Sequence, residues 1–252
     1  MKKTTRIAST RIASTRAAFA ALLITLSISI NILVIYSMPL GLNLLGWIYA
    51  WLLELALFGL AYDLSEVILC LIYREAHLPS LPFLEHHPSV ALVCVTCDDA
   101  DEGTLLLLSH QNYPNLEIFI LDDSQLPESM KAINKLGLNV VRRKGRDGYK
   151  AGNLNNWLFK YGSGYEYFVV ADADSILPES FVSEMVSAAE HSDNRHLAII
   201  ESIIYPWNDK HHFVKPQSIQ SPFQRCRRLR LLNRVDSTLS VGHNNIYRTS
   251  AL

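Results

Sequence analysis

Hydrophobic and polar positions divide the chain into a lipid-compatible front and a water-compatible remainder. Residues 17–38 run without a charge, and at about 1.5 Å per helical residue they cross the roughly 30 Å hydrocarbon core of a bilayer. Pro39, Gly41 and Asn43 break the run. A second apolar segment from Leu44 to Tyr62 is interrupted only by Glu54, and residues 64–73 extend it. The pattern predicts a transmembrane two-helix hairpin over 17–73. Glu54 falls near the middle of the second span, where an ionised carboxylate is costly, so it is expected to face protein or water.

After this the period changes. Three prolines between Leu78 and Pro88 mark a linker over 74–87, and a soluble domain is expected over 88–252. Within it, strands are predicted at Val90–Thr96, Glu117–Leu121, Leu138–Arg142, Tyr167–Ala171 and Leu197–Ile203. Helices are predicted at Glu102–Asn112, Pro127–Leu136 and Ala151–Tyr161, with a further helix opening at Pro178. Alternating strands and helices imply an α/β fold whose mostly parallel sheet is covered on both faces and binds ligands at the carboxyl ends of its strands.

Charge sets the expected orientation. Lys2, Lys3, Arg6, Arg11 and Arg16 precede the first span without an acid, and Arg74 follows the second, so both ends of the hairpin and the soluble domain are expected in the cytoplasm of a multi-pass protein of the cell membrane. A cleaved signal peptide is the alternative, but its apolar core is usually shorter and is not followed by another. The repeated Arg-Ile-Ala-Ser-Thr of residues 6–16 reads as a flexible basic arm, 1–16. A formal net charge of −1 excludes a general nucleic-acid surface, although Arg225, Arg227, Arg228, Arg230 and Arg234 form a local basic run. Cys70, Cys94, Cys97 and Cys226 make no disulfide framework for a cytoplasmic domain. Cys94 and Cys97 read as strand packing rather than a metal pair.

The acids carry the candidate chemistry. Asp98 and Asp99 follow the first strand, Asp122 and Asp123 end the second, and Asp172 and Asp174 end the strand that begins at Tyr167. Each pair alone could be a loop or helix-cap feature. Three at one sheet edge repel unless a cation or hydrogen-bond donors hold them, and hard oxygen ligands suit Mg²⁺ or Mn²⁺, which in turn bind diphosphates. Asp172 and Asp174 are the expected metal ligands.

Six ordered motifs then resemble one family: Val-Thr-Cys-Asp-Asp (95–99), Ser-His-Gln-Asn-Tyr-Pro-Asn-Leu-Glu (109–117), Leu-Asp-Asp-Ser (121–124), Lys-Ala-Gly-Asn-Leu-Asn (150–155), Asp-Ala-Asp (172–174) and Gly-His-Asn (242–244). Together they resemble the family 2 glycosyltransferases of GT-A fold, and within them the membrane-bound cellulose-synthase-like group. The resemblance implies an inverting, metal-dependent transfer of a sugar from a nucleotide-diphosphate donor, a UDP-sugar, to a polysaccharide or glycolipid acceptor. By this likeness Asp98 or Asp99 and the Asp122–Asp123 pair hold the nucleoside, Asp172 and Asp174 approach the diphosphate through the metal, and Lys150 lies near the donor. Gly152 permits close backbone approach, and Asn153 and Asn155 offer neutral polar groups to a sugar or ribose. Gly242, His243 and Asn244 are expected to face the acceptor.

Family members carry a Glu-Asp base pair and a Gln-x-x-Arg-Trp signature downstream, whereas this sequence stops at Leu252. The catalytic base is therefore expected beyond it, with His243 and Asp236 the candidates within. The partners implied are a nucleotide sugar, a glycan or lipid acceptor, membrane lipids and synthase subunits. The rival reading is a donor-binding or scaffolding module that pairs with a full synthase. A nucleotidyltransferase is disfavoured by the Lys-Ala-Gly-Asn-Leu-Asn match.

Overall fold

The computed structural model describes residues 2–37, 43–73, 84, 86–206, 212–235, 237–238 and 240–252. Two helices come first, α1 (Lys2–Ser37) and α2 (Leu44–Ile72). There follow β1 (Val90–Thr96), α3 (Glu102–Ser109), β2 (Leu116–Asp122), α4 (Pro127–Lys135), β3 (Asn139–Arg142), α5 (Tyr149–Tyr161), β4 (Tyr167–Asp172), α6 (Phe181–Glu190), β5 (Ile199–Glu201), α7 (Val214–Arg234) and β6 (Asn245–Arg248). They form two compact units, Met1–Leu78 with Tyr205–Leu239, and Pro79–Ile204 with Ser240–Leu252.

In the first unit, the basic arm expected to be flexible is instead helical from Lys2 and continuous with the apolar span. No glycine or proline separates Lys2 from Ser37, so nothing interrupts the hydrogen-bond ladder once the span has nucleated it. The second span and its extension form one helix, started by Asn43, whose side chain accepts from the Gly46 N–H at 2.9 Å. Ala13–Ser37 and Leu44–Ile72 are both long and apolar enough to cross a membrane. Much of what they present outward is apolar, including Leu33, Tyr36, Leu44, Leu45, Trp47 and Trp51. The expected linker lies largely outside the described residues.

The long α7 was not predicted, and residues 205–239, which contain it, pack in the first unit. Its basic run supplies contacts within that unit. The nearly enclosed Arg227 guanidinium lies 3.4 Å from both Asp63 and Glu66 of α2, and Cys70 Sγ donates to its carbonyl at 3.1 Å. Arg234 stands over the Tyr73 ring at 4.0 Å.

The second unit is built on a six-stranded sheet in the order β3-β2-β1-β4-β6-β5. The first four strands in that order run parallel, while β6 lies antiparallel between β4 and β5. The fold is thus a mixed, mostly parallel sheet covered by helices, as the α/β alternation implied. Val90, Leu92 and Cys94 of β1 pack into a core with α3, α4 and α6, while Ala91 and Val93 turn to a second core containing Trp157 of α5. Burial on both faces explains why the central strands read as unbroken apolar runs. The predicted strand at 197–203 contracts to Ile199–Glu201, and the helix expected at Pro178 opens at Phe181. Register aligns Thr96 with Asp122 and Val95 with Asp172, which brings the acidic strand ends to a common edge.

Candidate active site

The first two acidic clusters are tied together by protein donors. Asp98 adopts a left-handed φ of 62°, and its Oδ1 accepts from the backbone N–H groups of Gln125 and Leu126, both at 2.8 Å. Its own N–H donates to Ser124 Oγ at 2.9 Å. Asp99 folds back, accepting from Thr96 Oγ1 and the Cys97 N–H at 2.7 Å each. These bonds fix the loop after β1 against the loop after β2.

Asp122 is enclosed, accepting from the Ser124 N–H at 2.9 Å and from Arg142 Nε at 2.7 Å. Asp123 is also nearly inaccessible and takes a two-pronged pair from Arg143, Nε to Oδ1 at 3.0 Å and Nη2 to Oδ2 at 2.7 Å. These hydrogen bonds hold the Arg143 guanidinium above its ordinary pKa. The repulsion foreseen for these carboxylates is therefore relieved by two arginines at the end of β3, which the sequence reading did not single out. Arg142 pairs with Asp122 across the β2–β3 register, so two basic residues closing a strand beside a strand that ends in two acids is the signal that could have found them.

The third cluster is different. Lys150, at the start of α5, donates from Nζ to Asp172 Oδ1, and His243 Nδ1 lies 3.6 Å from Asp172 Oδ2. The neighbouring Asp174 is exposed, with no hydrogen bond or ion pair to any described residue. Gly242 at φ 83° and Asn244 at φ 54° turn the chain sharply beside β4, where the Asn244 N–H donates to the Val170 carbonyl at 2.6 Å. That turn brings His243 to Asp172, so the segment expected on the acceptor side also borders the proposed donor site. Asp236, the other candidate base, lies outside the described residues.

Two expectations on α5 change. Asn153 is fully buried, its amide atoms without a described hydrogen-bond partner, and is not displayed to a sugar. It is one helical turn before the buried Trp157, so the helical period that packs the tryptophan turns Asn153 inward too. Asn155 is exposed. The close approach that Gly152 permits is made by the chain itself, since a Cβ there would stand 1.9 Å from the Asp147 carbonyl oxygen.

Cys94 is buried, and burial, with Asp172 nearby, pushes its thiol up to about 12, so it remains a thiol and serves packing. Among the described residues no group of three or more His, Cys, Asp or Glu is placed to hold a metal ion alone.

Residues 92–252 match the family described as Glycosyl transferase family 2. Over 95 residues the chain is 30% identical to glucans biosynthesis glucosyltransferase H of Klebsiella pneumoniae, which covers 33% of this chain and 11% of that protein. The corresponding Escherichia coli K12 protein is 27% identical over the same length, again 33% and 11%. The match thus spans about a tenth of the curated relatives' length. Among solved structures, a mannosyltransferase of Pyrobaculum calidifontis in complex with GDP-Man and Mn²⁺ superposes with a TM-score of 0.47 at 21% identity, covering 58% of this chain and 43% of that one. Staphylococcus aureus TarS 1–349 gives 0.46 at 19%, covering 64% and 47%.

Proposed function

The chain belongs to glycosyl transferase family 2, and from that premise we propose that it moves a sugar from a UDP-sugar to a glycan or lipid acceptor at the cytoplasmic face of a cell membrane. The reaction is inverting and depends on a divalent metal. The observation that carries this reading is the constellation at Asp172: a carboxylate at the end of β4, paired with Lys150, faced by His243, and followed by the exposed Asp174.

The donor set there fits Mg²⁺ or Mn²⁺ of the kind held jointly by protein and substrate. Mg²⁺ in phosphate sites is usually bound by one or two carboxylates, with phosphate oxygens and water completing its shell, so a cage of three protein ligands is not required. Among the described residues no partner engages either carboxylate oxygen of Asp174, and none hydrogen-bonds to Asp172 Oδ2. These two residues would hold the metal, which when bound neutralises the charge of the leaving diphosphate.

Lys150 adds a positive charge of the chain's own at the same place. When the donor binds, its ammonium can pass from Asp172 to a phosphate oxygen, placing a donor where negative charge grows as the sugar–phosphate bond breaks. Asp98 and Asp99 line the approach to the nucleoside. Asp122 and Asp123 act from behind, because their oxygens are already engaged by Arg142, Ser124 and Arg143. The exposed apolar faces of α1 and α2 support membrane insertion, with lipid covering what water would not.

The test is sugar transfer from radiolabelled UDP-sugars by the full chain in membranes, with and without Mg²⁺ or Mn²⁺, beside calorimetry of UDP binding. Binding without any transfer to glycan or lipid acceptors would favour a donor-binding module that works with a complete synthase. Absence of nucleotide binding would end both readings.

A further inference from the structure

The turn before Lys150 is held in an unfavourable backbone shape, and one side chain spans it. Gly148 has φ 69° and Tyr149 has φ 49°, two successive left-handed residues, of which only the glycine adopts that region freely. Tyr149 is 73% exposed, so its packing does not hold the turn. The Asp147 carbonyl is pressed against Gly152, where no Cβ could fit, and Arg143 stands at the same place, its Nη1 2.9 Å from where that Cβ would lie. Its Nη1 donates to the Asp147 carbonyl at 2.7 Å and its Nη2 to the Tyr149 carbonyl at 2.9 Å. The same guanidinium forms the two-pronged pair with Asp123 described above, at side-chain exposures of 9% and 6%. One planar group thus joins the end of β2 to the residues on either side of Gly148. The next residue is Lys150, which reaches Asp172.

We infer that Arg143 is a positioning residue for the proposed transfer: anchored on Asp123, it fixes the strained turn from which Lys150 is presented to Asp172 and to the donor's diphosphate. The inference rests on the role proposed for Lys150. Strained backbone persists only where its surroundings over-determine it, and here the determinants converge on the residue that precedes the candidate diphosphate contact. A lysine cannot replace this arginine. An ammonium offers a point charge on a flexible stem, whereas the guanidinium fork meets both carboxylate oxygens and two carbonyls in fixed directions. Asp123, immediately after β2, then acts on the donor site through Arg143 and α5.

The experiment is a double-mutant cycle on the full chain, reading UDP and GDP affinity by calorimetry in Mg²⁺. Arg143→Lys is expected to weaken diphosphate binding roughly ten- to hundredfold, the scale of effect that a small misplacement of a charged group produces. Lys150→Ala is expected to weaken it at least as much, and Arg143→Lys added to Lys150→Ala to cost little more, because the same contact is already lost. Independent, additive losses would overturn the inference. Hydrogen exchange guards against simple unfolding. In Arg143→Lys, protection of the Gly152 amide, which donates to the Gly148 carbonyl at 2.9 Å, should fall while the amides of β1, β2 and β4 keep theirs. Loss of protection across the whole sheet would also overturn it, since Arg143 would then serve stability alone. If the wild-type chain binds neither nucleotide, the proposed function fails and the inference falls with it. Additivity in a chain that binds removes only the role of Arg143.

Discussion

Lys150 and Asp172 are joined as an ion pair between the first turn of α5 and the last residue of β4, yet each side chain remains about one-third exposed, at 38% and 32%. An exposed pair of this kind contributes little to folding, because water and salt screen it. Its accessibility fits a pair that a ligand can open. Lys150→Met is therefore expected to leave the thermal midpoint nearly unchanged while lowering the turnover of sugar transfer by about 10²- to 10³-fold, the usual cost of removing a positioned charge donor. Initial rates at saturating donor measure this, and a turnover within twofold of wild type would contradict it.

Metal dependence should appear in binding as well as in rate. UDP affinity measured in Mg²⁺ or Mn²⁺ is expected to exceed that in excess chelator by at least about tenfold, and the Asp172→Asn, Asp174→Asn double change should abolish the difference. Equal affinity with and without chelator would remove the metal from the site.

Gly152→Ala is expected to destabilise the second unit by about 1–3 kcal/mol, the range for forcing extra atoms into a packed region. The new Cβ meets backbone, the Asp147 carbonyl, which cannot swing aside as a side-chain tip would. Gly164→Ala is the matched control, with nothing within 4 Å of its added carbon and no left-handed φ. Chemical denaturation of the two variants decides the point, and equal midpoints would refute the clash.

Asp101 offers a titration test at the start of α3. Its Oδ2 accepts from the Thr104 N–H at 2.8 Å and from Thr104 Oγ1 at 3.1 Å, and these bonds hold its pKa below the ordinary carboxylate value. A depressed folded pKa means that its contribution is fully present above the unfolded value and is lost as pH falls through the folded one. Asp101→Asn does not titrate, so the wild type's advantage in thermal midpoint should shrink on acidification from about pH 6 toward about pH 3. A difference independent of pH would show that the charge plays no part in the cap.

Most of the architecture could be read along the chain because its cause is local. The charge-free run before Ser37 and the largely apolar one after Leu44 fix two long apolar helices, and apolar strands such as Val90–Thr96 and Tyr167–Asp172 belong in a sheet buried on both faces. Acids placed directly after such strands also had to meet at one edge, since parallel strands end together. Other features depended on partners distant in sequence. The short Asn245–Arg248 strand carries little pattern of its own and exists because β4 and β5 supply its hydrogen bonds on either side. Likewise α7 packs in the first unit, where Arg227 meets Asp63 and Glu66 far earlier in the chain. At the site, sequence identified the acids but not what holds them: Arg142 and Arg143 became counter-charges only when β3 aligned beside β2, and His243 met Asp172 only when the turn at Gly242 closed. Residue type determined which groups could carry charge, and tertiary structure decided which charges neutralise one another and which remain for a ligand, because electrostatic pairing depends on distance in space.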